Sequence, residues 1–335
     1  MTYLFNQFIM LSISLAIIVF LAGVILLYKG SDILVDGTTH IAAQLGVSSL
    51  IISVVVVAFG TSAPEFAISV GAAMQEYTGV VEGGAGISVG NIIGSCIANL
   101  LLVIGISAVI KPIKIQKGVI YRELPIMVLV TIVLLSFSVT GLLDGFHVVG
   151  GLLFLLFFVL FVFYFIRVAR LERIKVEEFS KGNKVKDSVY IVLGIAGVVL
   201  GAWFLIESAI TIAHFFNISP FIISLSMVAV GTSLPELVVS VMASYKDESD
   251  IAVGNVLGSN VFNILLVLGA ASLLIPLGAM KSVDHLVILL GVTLVMIPIL
   301  RSNHEVSRLE GVFLLVLYAL FIWYMFGGST FLFGG

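Results

Sequence analysis

The sequence predicts an all-α polytopic membrane protein of ten transmembrane helices, arranged as two inverted five-helix repeats. Three observations carry that prediction. Of 335 residues, 60% are hydrophobic and only 10% charged, with a mean hydropathy of +1.25, a composition foreign to soluble domains. Apolar runs of about 20 residues or more, enough to cross a bilayer as a helix, follow one another along nearly the whole chain. Finally, Gly60-Thr61-Ser62-Ala63-Pro64-Glu65 returns as Gly231-Thr232-Ser233-Leu234-Pro235-Glu236.

Ten segments are read at roughly 9–45, 48–75, 87–110, 119–141, 147–167, 187–215, 219–245, 251–276, 283–300 and 309–327. The first has no basic leader, and its apolar core is too long for a cleaved signal, so it is expected to be retained. Ten spans return both termini to one side of the membrane and put the connection after the fifth on the other. That connection carries Arg167, Arg170, Arg173, Lys175, Lys181, Lys184 and Lys186. Its side also holds Lys111, Lys114, Lys117, Arg122, Lys246, Arg301 and Arg308, whereas the opposite side has only Lys281. The positive-inside rule therefore puts the linker in the cytoplasm of a plasma-membrane protein and both termini outside. The expected divisions are a first repeat at 1–167, a basic linker at 168–186 and a second repeat at 187–335. The net charge of -3 is incidental, and the single cysteine, Cys96, forms no intramolecular disulfide and reads as a small buried hydrophobe.

The repetition extends beyond the opening motif. At the same spacing Gly30 aligns with Gly201, Ser48 with Ser219, and Ile51-Ile52-Ser53 with Ile222-Ile223-Ser224. A second block, Gly90-Asn91-Ile92-Ile93-Gly94-Ser95 through Asn99, matches Gly254-Asn255-Val256-Leu257-Gly258-Ser259 through Asn263. Five spans per copy is odd, so the copies must be oppositely oriented, which is the architecture of secondary transporters with ion sites at the repeat interface.

A carboxylate near the bilayer centre costs about 2.5–3.5 kcal/mol on insertion scales, so Glu65 and Glu236 need a purpose, and holding a cation is the natural one. Pro64 and Pro235 lack an N–H and crowd the carbonyl four residues back, which should free backbone oxygens around Gly60, Thr61, Gly231 and Thr232. Thr61, Glu65 and Ser69 fall on one helical face, as do Thr232, Glu236 and Ser240. Asn91, Ser95 and Asn99, with Asn255, Ser259 and Asn263, form a matching stripe expected to face the Glu-bearing helices. Asn91 and Asn255 read first as helix-to-helix hydrogen bonders, and the glycine pairs Gly90/Gly94 and Gly254/Gly258 should let the two blocks of a repeat pack closely. Every candidate donor is an oxygen, which suits Ca2+ and disfavours Zn2+ or Cu+. The histidines at 40, 147, 214, 285 and 304 are scattered. Two carboxylates are neutralised equally by one Ca2+, two Na+ or two protons, a basis for exchange.

The duplicated blocks G-T-S-x-P-E and G-N-x-x-G-S-x-x-x-N resemble the repeats of the cation/calcium antiporter superfamily, most closely its prokaryotic sodium/calcium exchangers. That resemblance implies an antiporter of Ca2+ against Na+ in which long, tilted first and sixth helices slide across an ion-binding core. It implies Glu65 and Glu236 as shared ligands with backbone oxygens of Thr61 and Thr232. Ala58, Ala229, Ser95 and Ser259 would complete sodium sites, and Asn99 would be a central polar ligand. Ser62 and Ser233 belong to the same motifs. Such exchangers usually carry aspartate where this chain has Asn263, which leaves two acids and calls the usual three-to-one stoichiometry into question. A proton-coupled antiporter is the alternative, although residues 90–105 and 254–269 hold no acid of the kind that branch carries. A cation channel would not need inverted, proline-broken halves. Enzyme signatures such as H-E-x-x-H or a nucleotide loop are missing from the sequence. No cofactor, nucleic acid or obligatory protein partner is implied, only the transported ions and the bilayer.

Other charges get weaker readings. Asp32, Asp36 and Glu207 stand at helix ends or beside an ion path, Lys29 snorkels or pairs with Asp32, and Glu76 and Glu82 belong to a solvated outer loop.

Overall fold

The computed structural model describes residues 2–80, 82–173, 183–215, 231–277 and 283–325. Its first span is α1 (Thr2–Leu45). The second is broken into α2 (Ser49–Thr61) and α3 (Ala63–Tyr77), which meet at 47°. Then follow α4 (Gly84–Ile110), α5 (Val119–Val139) and α6 (His147–Arg173). The second half comprises α7 (Lys184–Phe215), α8 (Leu234–Tyr245), α9 (Ser249–Leu274), α10 (Val283–Arg301) and α11 (Arg308–Trp323). Each of the ten expected segments thus contains a described helix, with 219–230 of the seventh lying outside the described residues. The fifth and sixth spans run further into the linker than expected, to Arg173 and from Lys184. Two short strands the sequence did not announce, β1 (Ile113–Lys114) and β2 (Glu305–Val306), pair antiparallel between connections on the linker side.

Burial sorts these helices into a centre and a periphery. In the most apolar stretch of α9, 94% of residues are buried and in α4 78%, against 22% in α1 and 28% in α7. The repeated blocks therefore occupy the middle, and the long helices ride on the outside. At a rise of 1.5 Å per residue α1 is about 66 Å long, twice a hydrocarbon core, and fits a membrane only when steeply tilted.

The two outer helices run antiparallel with their backbones in contact. A Cβ added at Gly23 would sit 2.9 Å from the Gly201 carbonyl oxygen, at Gly30 2.8 Å from the Val198 nitrogen, and at Gly37 3.0 Å from the Asp187 carbonyl oxygen. The glycines recur every seven residues, so a single stripe of α1 faces α7 along its length. Near one end Asp187 of α7 is hydrogen-bonded by Gln44 and approached by His40 at 3.3 Å.

Several local expectations change. Asp32 and Asp36 do not pair with Lys29; both clasp Lys246, at the end of α8, at 2.6 and 2.7 Å. Lys29 instead lies 5.4 Å from the Tyr28 ring centre. Glu76 is no loop charge: its carboxylate accepts the Ala85 N–H at 2.7 Å, tying α3 to the start of α4. Gly254 and Gly258 do permit close approach, but to Leu50, Ser53, Val54 and Ala58 of the other repeat, while no described residue lies within 4 Å of a Cβ placed at Gly90 or Gly94.

Candidate functional site

The first opening motif sits where a helix stops and restarts, and the second where a helix begins. Ser62, at φ -79° and ψ 8°, ends α2, and α3 begins at Ala63 with Pro64 in its first turn. Ser233, at φ -85° and ψ 6°, precedes α8 with Pro235 in the same place. Proline is tolerated there because the first N–H groups of a helix have no intrahelical acceptor. Glu65 and Glu236 consequently fall in the first turns of α3 and α8, where the positive end of the helix dipole makes a carboxylate least costly. The expected continuous face of Thr61, Glu65 and Ser69 is interrupted by this bend. The carbonyl oxygens are not all released either: capping N–H groups reach Ala58 and Gly60, and the Thr61 hydroxyl also donates to Ala58 at 3.4 Å.

Hydroxyls are exchanged between the repeats. Ser95 of the first meets Thr232 of the second at 2.9 Å, and both lie beside the Glu65 carboxylate. Thr61 donates to Asn255 at 3.0 Å and approaches Ser259 at 3.5 Å, and Thr61, Ser62 and Ser259 surround Glu236. Ser62 donates to Glu236 Oε1 at 3.2 Å. Asn91 and Asn255 do bond helix to helix within their own repeats. Asn91 donates to Ser69 at 2.9 Å and to the Glu65 carbonyl at 3.5 Å, and Asn255 to Ser240 at 3.1 Å and the Glu236 carbonyl at 3.3 Å.

The remaining polar groups are buried and unsatisfied. Glu65, Glu236, Asn99 and Asn263 are all 0% exposed. Among the described residues no donor or acceptor stands in hydrogen-bond geometry to either carboxylate oxygen of Glu65, Oε2 of Glu236, Oδ1 of Asn99, or either amide atom of Asn263. Asn99 and Asn263 each begin a π-helical stretch, Asn99–Val103 and Asn263–Leu268, and these pack crosswise, the first on α8 and the second on α3. A π-turn in an α-helix is an uncommon local choice that recurs at functional sites. The two glutamates share one buried region with Cys96, whose thiol neighbours Asn263. Among the described residues no group of three or more His, Cys, Asp or Glu forms a metal cluster, so acids here come in a pair.

Eleven of the twelve sequence-predicted residues are buried in this centre: Ala58, Thr61, Ser62, Glu65, Ser95, Asn99, Thr232, Ser233, Glu236, Ser259 and Asn263. Ala229 lies outside the described residues. Glu207, read as a helix-end group or a path residue, is in the wall of a cavity of about 770 Å³ whose other polar lining includes Asn91 and Thr232 and which reaches Pro64 at the break. One central residue had escaped the sequence reading. Asn260 is 0% exposed and bonded to both Asn99 and the Cys96 carbonyl. Comparing the repeats hid it, because its counterpart in the first copy is Cys96.

Known proteins are similar to this chain along most of its length. The sodium/calcium exchanger protein family matches residues 15–167 and 187–327. CaxA of Alkalimonas amylolytica is 36% identical over 313 residues, covering 90% of this chain and 95% of its own. Sodium/calcium exchanger MaX1 of Methanosarcina acetivorans is 30% identical over 354 residues, covering 94% and 99%. The solved structure of the sodium-calcium exchanger NCX_Mj soaked without Na+ and Ca2+ superposes with a TM-score of 0.79 at 33% identity, over 93% of this chain and 99% of that one. Sequence match and superposition both run through the two repeats and the broken second span, and so this integral membrane protein belongs to the sodium/calcium exchanger family.

Proposed function

We propose that the protein is a secondary active antiporter exchanging Ca2+ for Na+ by alternating access, through one shared site between the repeats built on Glu65 and Glu236. The observation that carries this reading is the set of six buried, unpartnered polar atoms on Glu65, Glu236, Asn99 and Asn263. Each such atom costs about 1–3 kcal/mol, more when charged, unless something satisfies it. A cation removes that penalty at several of them together. All but one of the six atoms are oxygens, and hydroxyls of Ser95, Ser259, Thr61 and Thr232 stand around them, a hard-donor set suited to Ca2+ and Na+. Ala58, Ala229, Ser62 and Ser233 would contribute backbone or hydroxyl oxygen from the breaks. Sodium as counter-ion is supported by the relatives named sodium/calcium exchangers and by the absence from residues 90–105 and 254–269 of the acid that the proton-coupled branch carries. The basic connections put the central linker in the cytoplasm of a plasma-membrane exchanger, with both termini outside.

Calcium uptake into proteoliposomes, driven separately by an outward Na+ gradient and by a pH gradient, tests this. A Na+ gradient is expected to drive saturable uptake. Uptake driven only by the pH gradient would replace Na+ with H+, and uptake without any counter-gradient would make the protein a channel.

A further inference from the structure

The oxygen and nitrogen of an asparagine amide are distinguished by their partners alone, so a fixed backbone group can set the direction of a whole chain of amides. Such a chain starts at the Cys96 carbonyl. A carbonyl only accepts, so the Asn260 atom 3.1 Å from it must be Nδ2. Asn260 Oδ1 then points the other way, and the Asn99 atom 3.0 Å from it must be the donor Nδ2. Asn99 Oδ1 is therefore left facing away from Asn260, buried and without a hydrogen-bond donor. The Cys96 thiol approaches the Asn260 carbonyl at 3.9 Å, a second link between the same two residues.

Among the described residues the other repeat shows no such holder. The relation that pairs Asn99 with Asn263 pairs Asn260 with Cys96, so Asn263 has a thiol beside it where Asn99 has an amide. A thiol is a weak donor and a weak acceptor and imposes no direction on an amide. Neither Asn263 amide atom has a nitrogen or oxygen partner among the described residues, and the Cys96 thiol is its neighbour instead. One central amide is preset and its counterpart is left to turn.

We propose that Asn260 is a positioning residue for cation binding: anchored on the Cys96 carbonyl, it locks Asn99 with Oδ1 presented to the ion. This rests on the reading of the Glu65 and Glu236 centre as the ion site. Without Asn260 the Asn99 amide can rotate and present its NH2 group, which repels a cation.

The experiment is a double-mutant cycle on the full-length protein, reading the KM for Ca2+ uptake and the Ca2+-dependent rise in melting temperature, with Glu65→Gln as reference. Asn260→Ala is expected to raise KM on the order of tenfold at little-changed maximal rate, the scale of one misdirected buried polar group. In an Asn99→Asp background the same change should be neutral or favourable, because a carboxylate offers oxygen whichever way it turns and no longer faces Asn260 Oδ1. Asn260→Leu, with the same number of side-chain heavy atoms and the same branching, should behave as Asn260→Ala does and guards against a cavity effect. An equal loss in both backgrounds, or failure of both Asn260 variants to fold, would assign Asn260 to packing and overturn the proposal. If Glu65→Gln instead transports and binds Ca2+ normally, the ion-site reading itself fails.

Discussion

Glu65 and Glu236 are each the only acid in the first turn of their helix, fully buried and surrounded by hydroxyls from both repeats. Glu65→Gln or Glu236→Gln is expected to abolish Ca2+ transport while leaving a folded protein, since either removes half the charge of the pair at nearly constant volume. Vesicle uptake with a size-exclusion control measures this, and normal uptake by either variant would refute the assignment. Asn263 offers a finer test. Its amide has no nitrogen or oxygen partner among the described residues, so Asn263→Asp adds a third charge without breaking such a bond. The Na+ dependence or apparent stoichiometry of exchange should change; an unaltered Na+ response would remove Asn263 from the site. These residues were legible because a charge or amide in an apolar run stands out. Asn260 was not, since its importance comes from a partner 164 positions away rather than from a repeated letter.

At the scale of elements, proline placement and glycine spacing do most of the shaping. Pro64 and Pro235 restart helices where they cost no hydrogen bond, and the sharp turn at Ser62 and Ser233 sends each Thr towards the other repeat. Spacing along a single helix could not reveal that exchange, which depends on how the two repeats pack against each other. Between α1 and α7 the backbones leave no room for a side chain at Gly30. Gly30→Leu is expected to destabilise the protein by about 1–3 kcal/mol or more through overpacking. By contrast Gly291→Ala on α10, where no described atom lies within 4 Å of the new Cβ, should be neutral or slightly stabilising. Thermal unfolding in one detergent compares them, and equal melting temperatures would disprove a tight α1–α7 seam.

For the whole molecule, the α1–α7 pair meets the buried centre along an apolar seam, Leu27, Leu34, Ile41, Ile191 and Val198 against Val57 and Val239, with further contacts at one end. One is a small cluster of Val35 with Met242, Ala243, Ile251 and Ala252; another is Lys246, held by Asp32 and Asp36. Partial burial of Lys246 disfavours its charge, but the hydrogen bonds and charges of Asp32 and Asp36 outweigh that and raise its pKa. A raised lysine pKa gives stability that is fully present below the unfolded value of about 10.4 and is lost only as pH climbs through the higher folded value. Lys246→Met should therefore lower the melting temperature by a small, constant amount across roughly pH 6–9, in keeping with partly exposed ion pairs worth about 0–1 kcal/mol. A difference that varied over that range would place the effect on another group.

Composition, run length and the two copied motifs determined by themselves that this chain is a helical membrane protein of inverted halves with an acid in each, because the bilayer penalises any charge that is not put to use. Tertiary structure alone decided which repeat supplies the hydroxyls around each glutamate, that Asp32 and Asp36 belong to Lys246, and that Asn99 is held by Asn260 while Asn263 is not. Each of those pairings joins residues far apart in the chain, and only the packing of the two halves against each other sets which distant groups come within hydrogen-bond reach.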